Sequence, residues 1–206
     1  MTKDARFSRQ DVDIQQQSTV YRGFFRMDKL QLRHRLFEGG WSKLLGRELF
    51  RRGDAAAAII YDPAMDSVGV IEQFRVGALN NTHGPWLLEV VAGMIADGET
   101  PDQVIVRELA EEAGVTPQRL LPICNYLSSP GGTDERVHLY CALCDLAQVG
   151  GIHGLTDEGE DIRVLVLPVA SIWDTLYHGR FNNAATLISL QWLMAHRPQL
   201  CSELRF

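Results

Sequence analysis

Glu108, Glu111 and Glu112 are the residues of this sequence best spaced to do chemistry together. On a helix of about 3.6 residues per turn, positions i, i+3 and i+4 fall within about 100° of one another. The three carboxylates therefore share a face, while Val106, Leu109, Ala110 and Ala113 cover the other side and suit packing on a sheet. Stacking like charges at this spacing destabilises a bare helix by roughly 0.2–0.5 kcal/mol per pair. A helix that needed only solubility would intersperse lysines. Arg107 can pair with Glu111, although cation-before-anion is the weaker order on an isolated helix. Two readings are open on the spacing alone: a solvated acidic face, or a divalent cation site. Oxygen ligands clustered without His or Cys suit Mg²⁺ or Mn²⁺ rather than zinc.

The helix that carries these groups has clear ends. Thr100-Pro-Asp-Gln103 supplies an N-cap, a proline at the first helical position and a capping-box glutamine. Gly114 is the expected C-terminal stop. Around it, strands are expected at Ala55–Tyr61, Val68–Phe74, near Trp86–Val91, and near Leu120–Tyr126, Val137–Leu143 and Ile162–Leu167. Two closing helices are expected over about 169–178 and 183–196, the second capped by Asn183. Upstream, Leu30, Leu32, His34 and Leu36 alternate with polar residues as a half-buried strand does, and Glu38-Gly-Gly40 marks a turn. Residues 1–18 are polar and expected to be loosely held. The interleaving predicts an α/β (α+β) sandwich with helices packed on a mixed sheet, preceded by a small N-terminal β unit. The boundary is drawn at Arg51, giving units 1–50 and 51–206.

Composition narrows the function classes. The chain has 206 residues, 46% hydrophobic and 22% charged, with a net charge of −6. That suits one globular domain with a modest appendage, and makes a poor electrostatic partner for nucleic acid or an anionic membrane. No apolar run approaches the ~20 residues of a membrane span, and the first residues lack the apolar core of a secretory signal. Cys141-x-x-Cys144 has zinc-like spacing but no second pair follows. In a strand, residues three apart face opposite sides, so these read as core cysteines of a protein working in a reducing cytoplasm.

Gly93, Glu99 and the run Arg107-Glu-Leu-Ala-Glu-Glu-Ala-Gly-Val115 match the Nudix signature at every position. The chain also resembles the bacterial ADP-ribose pyrophosphatases outside that box, in Tyr21-Arg-Gly-Phe-Phe25, Glu72-Gln-Phe-Arg75, Trp86–Met94, Ser129-Pro-Gly-Gly-Thr133 and Gly154–Ile162. The resemblance implies a Nudix α/β/α sandwich and Mg²⁺-dependent hydrolysis of ADP-ribose to AMP and ribose 5-phosphate, with other ADP-sugars as further substrates. It also implies a homodimer in which the N-terminal β units exchange. By the same resemblance Glu108, Glu112, Glu160 and the Ala92 carbonyl are metal ligands, Glu158 is the general base, and Arg107 and Glu111 orient the ligand face. Glu99 bridges loop and helix, or merely supports the first helical turn. Phe24, Phe25, Arg47, Glu48, Arg52, Arg75, Met94, Ser129, Pro130, Gly131 and Glu135 carry over as substrate contacts, and Glu135 and Glu160 are alternative bases. The aromatics could equally be core of the β unit. Phe74, the tip Gly77–Gly84 and the stretch before Arg47 depart from the family pattern. The competing functions are hydrolysis of GDP-mannose or another nucleotide sugar, and a non-catalytic nucleotide-sugar sensor. An intact set of Glu108, Glu111, Glu112 and Glu158 argues against a pure sensor, which has no need of a base.

Overall fold

The computed structural model describes residues 6–202, apart from the side chains of Glu158 and Ser202. The chain folds into two compact units. Residues 6–53 and 127–135 belong to the first, and 54–126 and 136–202 to the second.

The first unit is a three-stranded antiparallel sheet in the order β1 (Val12–Arg22), β2 (Arg26–His34), β3 (Leu45–Arg51). β1 overturns the expectation of a loose polar start. It is exposed from Gln15 to Arg22, so burial leaves no periodic trace in its sequence, and cross-strand pairing holds it instead. A tight turn, with the Gly23 N–H donating to the Phe25 carbonyl (2.9 Å), joins it to β2. The sheet buries a charge: Asp28 is 1% exposed. Its carboxylate accepts from Thr19 Oγ1 (2.8 Å), Gln17 Nε2 (3.0 Å) and Arg51 Nε (3.1 Å), and pairs with Arg26 (3.2 Å). The Thr19 hydrogen bond, followed by Arg51, Arg26 and Gln17, outweighs burial and holds the Asp28 carboxyl below its ordinary range. Segment 127–135 joins this unit through the Phe50 N–H to Gly132 carbonyl bond (2.8 Å) and an Arg51–Asp134 ion pair.

The second unit is a mixed sheet with strand order β10-β11-β5-β4-β9-β8. The strands are β4 (Ala55–Asp62), β5 (Ser67–Phe74), β8 (Arg119–Leu127), β9 (Arg136–Leu143), β10 (Gly151–His153) and β11 (Ile162–Pro168). β4 runs parallel to β9 and antiparallel to β5. The strand expected over Trp86–Val91 is two short ones, β6 (Trp86–Glu89) on β5 and β7 (Val91–Met94) on β4. The break falls at Val90, whose N–H leaves the ladder to donate to Thr186 Oγ1 (3.1 Å).

β4 shows why the sheet is covered on both sides. Ala57, Ile59 and Tyr61 pack into one core with α2 (Val169–Trp173) and α3 (Ala184–Ser202). Ala56, Ala58 and Ile60 pack into the other with α1 (Pro101–Ala113). Cys141 and Cys144 divide between these two cores as the strand period requires, and all four cysteines are free thiols. Thr100 caps α1 in a full capping box with Gln103, and Gly114 ends it at φ 65° in the left-handed region. α2 stops five residues short of its expected end. The Thr175 hydroxyl donates to the Ser171 carbonyl (3.0 Å), and tight turns follow. α3 continues past Pro198. Arg197 pairs with Asp66, and Tyr61 Oη lies 3.1 Å from Cys201 Sγ, which holds the last turn against the sheet.

Candidate active site

Within the second unit, α1 lays its carboxylates against the backbone of β7. Glu108 and Glu112 are buried, at 9% and 2% exposure, and Glu111 is half-buried. Glu112 Oε2 accepts the Ala92 N–H at 3.1 Å. Gly93 is needed because Glu108 presses on it: a Cβ there would stand 1.8 Å from Glu108 Oε1. Arg107 draws the acidic groups together. Its Nη1 lies 2.9 Å from both Glu108 Oε1 and Glu111 Oε2, and its Nε is 3.6 Å from Glu99. Glu99 also accepts the Ala96 N–H (3.0 Å), so it does bridge the preceding loop to the helix.

Burial pushes the Glu112 carboxyl up to about 8, with Glu108 and Glu160 adding repulsion against the opposing effects of the Ala92 N–H and Arg75. Burial likewise raises Glu108; Arg107 opposes it, and Glu111 and Glu160 reinforce it. Glu160, far along the chain, thus acts on both helix carboxylates. The loop that carries it is docked on α1 by the Gly154 N–H to Glu111 carbonyl bond (3.3 Å). Gly154 sits so close that a Cβ would come 2.8 Å from the Glu160 Cβ, and Glu160 Oε2 accepts the Leu155 N–H (3.0 Å). Glu158 ends the turn Thr156–Glu158; its side chain lies outside the described residues.

These residues fit a hard divalent cation. Burial and mutual repulsion raise the proton affinity of Glu108 and Glu112, and a bound cation would neutralise the charge gathered there. Glycine at 93 lets the carboxylate lie against bare backbone. Among the described residues, no three His, Cys, Asp or Glu side chains are already drawn together tightly enough to grip an ion.

Two expected substrate residues also belong to this unit. Arg75 is partly exposed and pairs with Glu89 at 2.6 Å, and Met94 is 39% exposed at the end of β7. Glu89 was not among the expected residues. Its sequence signal is a lone acid between Trp86-Leu-Leu and Val90-Val91. Gln73, on β5, is 7% exposed and its Nε2 has no hydrogen-bond partner among the described residues.

The remaining expected residues lie in the first unit. Phe24 and Phe25 meet edge-on at 4.8 Å, and Phe25 packs on Phe50 at 5.2 Å. Phe25 is half-buried, whereas Phe24 is 86% exposed. The Arg52 guanidinium stands 5.5 Å from the Phe25 ring centre, and its Nε is 3.1 Å from the buried carboxylate of Glu135. Phe24, Phe25, Phe50, Arg52 and Glu135 form one cluster. Ser129, Pro130 and Gly131 are exposed in a turn closed by the Gly132 and Thr133 N–H groups on the Ser129 carbonyl (both 3.0 Å). Arg47 and Glu48 are consecutive on β3, so they leave opposite faces of that strand.

The NUDIX domain family matches residues 51–186. The chain belongs to the Nudix family. Among its Nudix relatives, the ADP-ribose pyrophosphatase of Escherichia coli (strain K12) is 45% identical over 197 residues, covering 96% of this chain and 94% of the relative. The GDP-mannose pyrophosphatase of Cronobacter sakazakii (strain ATCC BAA-894) is 34% identical over 152 residues, covering 71% of this chain and 76% of the relative. The fold is also that of a crystal structure of an ADP compounds hydrolase, with a TM-score of 0.69 at 22% identity over 97% of this chain and all of the other.

Proposed function

We propose that this Nudix protein hydrolyses ADP-ribose to AMP and ribose 5-phosphate with Mg²⁺, acting also on other ADP-sugars. The observation that carries it is the buried carboxylate face of α1 against Ala92–Gly93. It is joined by 45% identity to an ADP-ribose pyrophosphatase over nearly the whole of both chains. The GDP-mannose relative matches less closely and over less of the chain.

Glu108, Glu112 and Glu160, with the Ala92 carbonyl, would hold the metal, and Mn²⁺ suits the same oxygens. When bound, the cation lowers the pKa of water and offsets charge on the diphosphate. Arg107 fixes the direction of Glu108 and Glu111 through its paired contacts. Glu158 takes the proton from the attacking water, and its place beside glycine-flanked turns lets the loop carry it inward. Arg75 supplies positive charge for the diphosphate, and Met94 lines the pocket. Phe24, Phe25, Arg52 and Glu135, with Arg47, Glu48 and Ser129–Gly131, receive the rest of the nucleotide sugar. The carboxylate set and base also separate an enzyme from a sensor.

The N-terminal unit of residues 1–50 is too small to bury a strong core alone, which supports exchange between two copies in a homodimer, with 51–206 as the catalytic domain. Four free thiols support a reducing, cytoplasmic setting. The net charge of −6 supports a small-molecule substrate over nucleic acid or membrane. The test is turnover of ADP-ribose, ADP-glucose and GDP-mannose side by side with Mg²⁺. Preference for ADP-ribose is expected; a higher kcat/KM for GDP-mannose would refute the assignment.

A further inference from the structure

We propose that Glu89 is a positioning residue that holds the Arg75 guanidinium off the carboxylates of α1 and keeps it available to the diphosphate. This rests on the diphosphate-hydrolase reading of the site.

The strand register places the pair. β5 and β6 match Ile71 with Glu89, Gln73 with Leu87 and Phe74 with Trp86. Alternation then puts Ile71, Gln73 and Arg75 on one face with Leu87 and Glu89. Ile71 packs in the core built with α1. The Arg75–Glu89 pair therefore lies on the face that α1 covers. The backbone of Arg75 is fixed by its N–H to the Pro85 carbonyl (2.8 Å). Its side chain is 43% exposed and that of Glu89 only 13%, so the carboxylate is the fixed partner and the guanidinium the one with room to move.

Glu89 has no evident packing purpose. It stands in a strand of Trp86, Leu87 and Leu88, followed by Val90 and Val91, and it adds a negative charge to a face that already holds Glu108 and Glu112. What it does is bind Arg75 at 2.6 Å. The field of Arg75 reaches Glu112. An arginine without its own anion turns toward the next available carboxylate, and a pair with Glu112 would occupy a ligand oxygen with a guanidinium. Glu89 satisfies the arginine first. On the opposite face of the sheet, Glu72 of the neighbouring strand β5 pairs with Arg163 and Arg180. Those ion pairs face away from α1.

The experiment follows Mg²⁺-dependent melting together with steady-state kinetics on ADP-ribose, for the full chain. Glu89→Ala is expected to raise the Mg²⁺ needed for half the melting shift by about tenfold, the scale of lost outer-shell support. It should raise KM by a similar factor of about 10 while kcat at saturating Mg²⁺ and substrate stays within about threefold. Glu89→Gln, which keeps the shape, should move the same way by less. In the double variant Glu89→Ala/Arg75→Ala the Mg²⁺ requirement should return to wild type, because nothing is left to intrude, while KM stays high. Glu72→Ala, the control on the far face, should match wild type in both. An unchanged Mg²⁺ requirement in Glu89→Ala overturns the proposal, as does a double variant as weak for Mg²⁺ as the single one. A wild-type protein that melts higher with Mg²⁺ yet leaves ADP-ribose intact refutes the substrate reading alone, and the Mg²⁺ titrations still decide the role of Glu89.

Discussion

Replacing Glu112 with glutamine separates a metal ligand from a member of a solvated acidic face. The amide keeps the side-chain volume and can still accept the Ala92 N–H, but it carries no charge. Glu112 is 2% exposed, and burial, with Glu108 and Glu160, lifts its carboxyl from 4.5 to about 8. At about 1.4 kcal/mol per pKa unit this is a penalty of roughly 5 kcal/mol on the charged form. The sign follows from linkage. A carboxyl whose folded pKa lies above its unfolded value contributes its full stability below the unfolded pKa, near 4.5. That contribution is lost as pH rises through about 8. Metal-free wild type should therefore lose stability between pH 5 and 8 relative to Glu112→Gln, by a few kcal/mol on the order of that penalty. Mg²⁺ should reverse the ranking. At 100 times Kd it adds about 2.7 kcal/mol to a competent protein, or about 5–11 °C at roughly 2–4 °C per kcal/mol for a chain of this size. Glu112→Gln should lose most of that rise and lose turnover by more than about 100-fold. Differential scanning fluorimetry at pH 5, 7 and 8, with and without Mg²⁺, reads all of it. A variant with no metal-free gain at pH 8, a wild-type Mg²⁺ shift and retained turnover would refute the reasoning.

Gly93→Ala puts a methyl group where Glu108 Oε1 lies, so the Mg²⁺-induced melting shift should shrink while the far-ultraviolet circular dichroism stays native. Arg107→Met should lower kcat about 10–100-fold by releasing Glu99, Glu108 and Glu111, read by steady-state kinetics. Asp28, held below its ordinary pKa, contributes stability above that value and loses it as pH falls through the folded pKa. Asp28→Asn should therefore melt lower than wild type at pH 7, with the gap narrowing toward pH 3. Glu158→Gln should cut turnover about 10²–10⁴-fold, as loss of a general base does, without changing the melting temperature.

The helix and its acidic face were legible because their signals are local. Thr100, Pro101, Gln103 and Gly114 set the ends of α1, and the spacing of Glu108, Glu111 and Glu112 set their common side. The weight of that face was not legible. Spacing alone gives a few tenths of a kcal/mol, while the backbone of Ala92 and Gly93, brought from another element, makes Glu112 a buried carboxyl whose charged form is costly. β1 escaped notice because an exposed strand shows no apolar period. The Arg75–Glu89 pair escaped because 14 residues and a strand register separate its members. The split of β6 from β7 depends on Thr186, 96 residues away. Glu160 could be assigned a place beside α1 only by family resemblance; the docking of Gly154 on the Glu111 carbonyl supplies the physical cause.

The most direct measurement is ³¹P NMR of ADP-ribose incubated with the protein in Mg²⁺ and, separately, after rigorous chelation. The diphosphate signals should disappear in Mg²⁺ and be replaced by the phosphomonoester signals of AMP and ribose 5-phosphate, and should persist with the chelator. Diphosphate left intact in Mg²⁺, or equal turnover after chelation, would contradict a metal-dependent ADP-ribose pyrophosphatase.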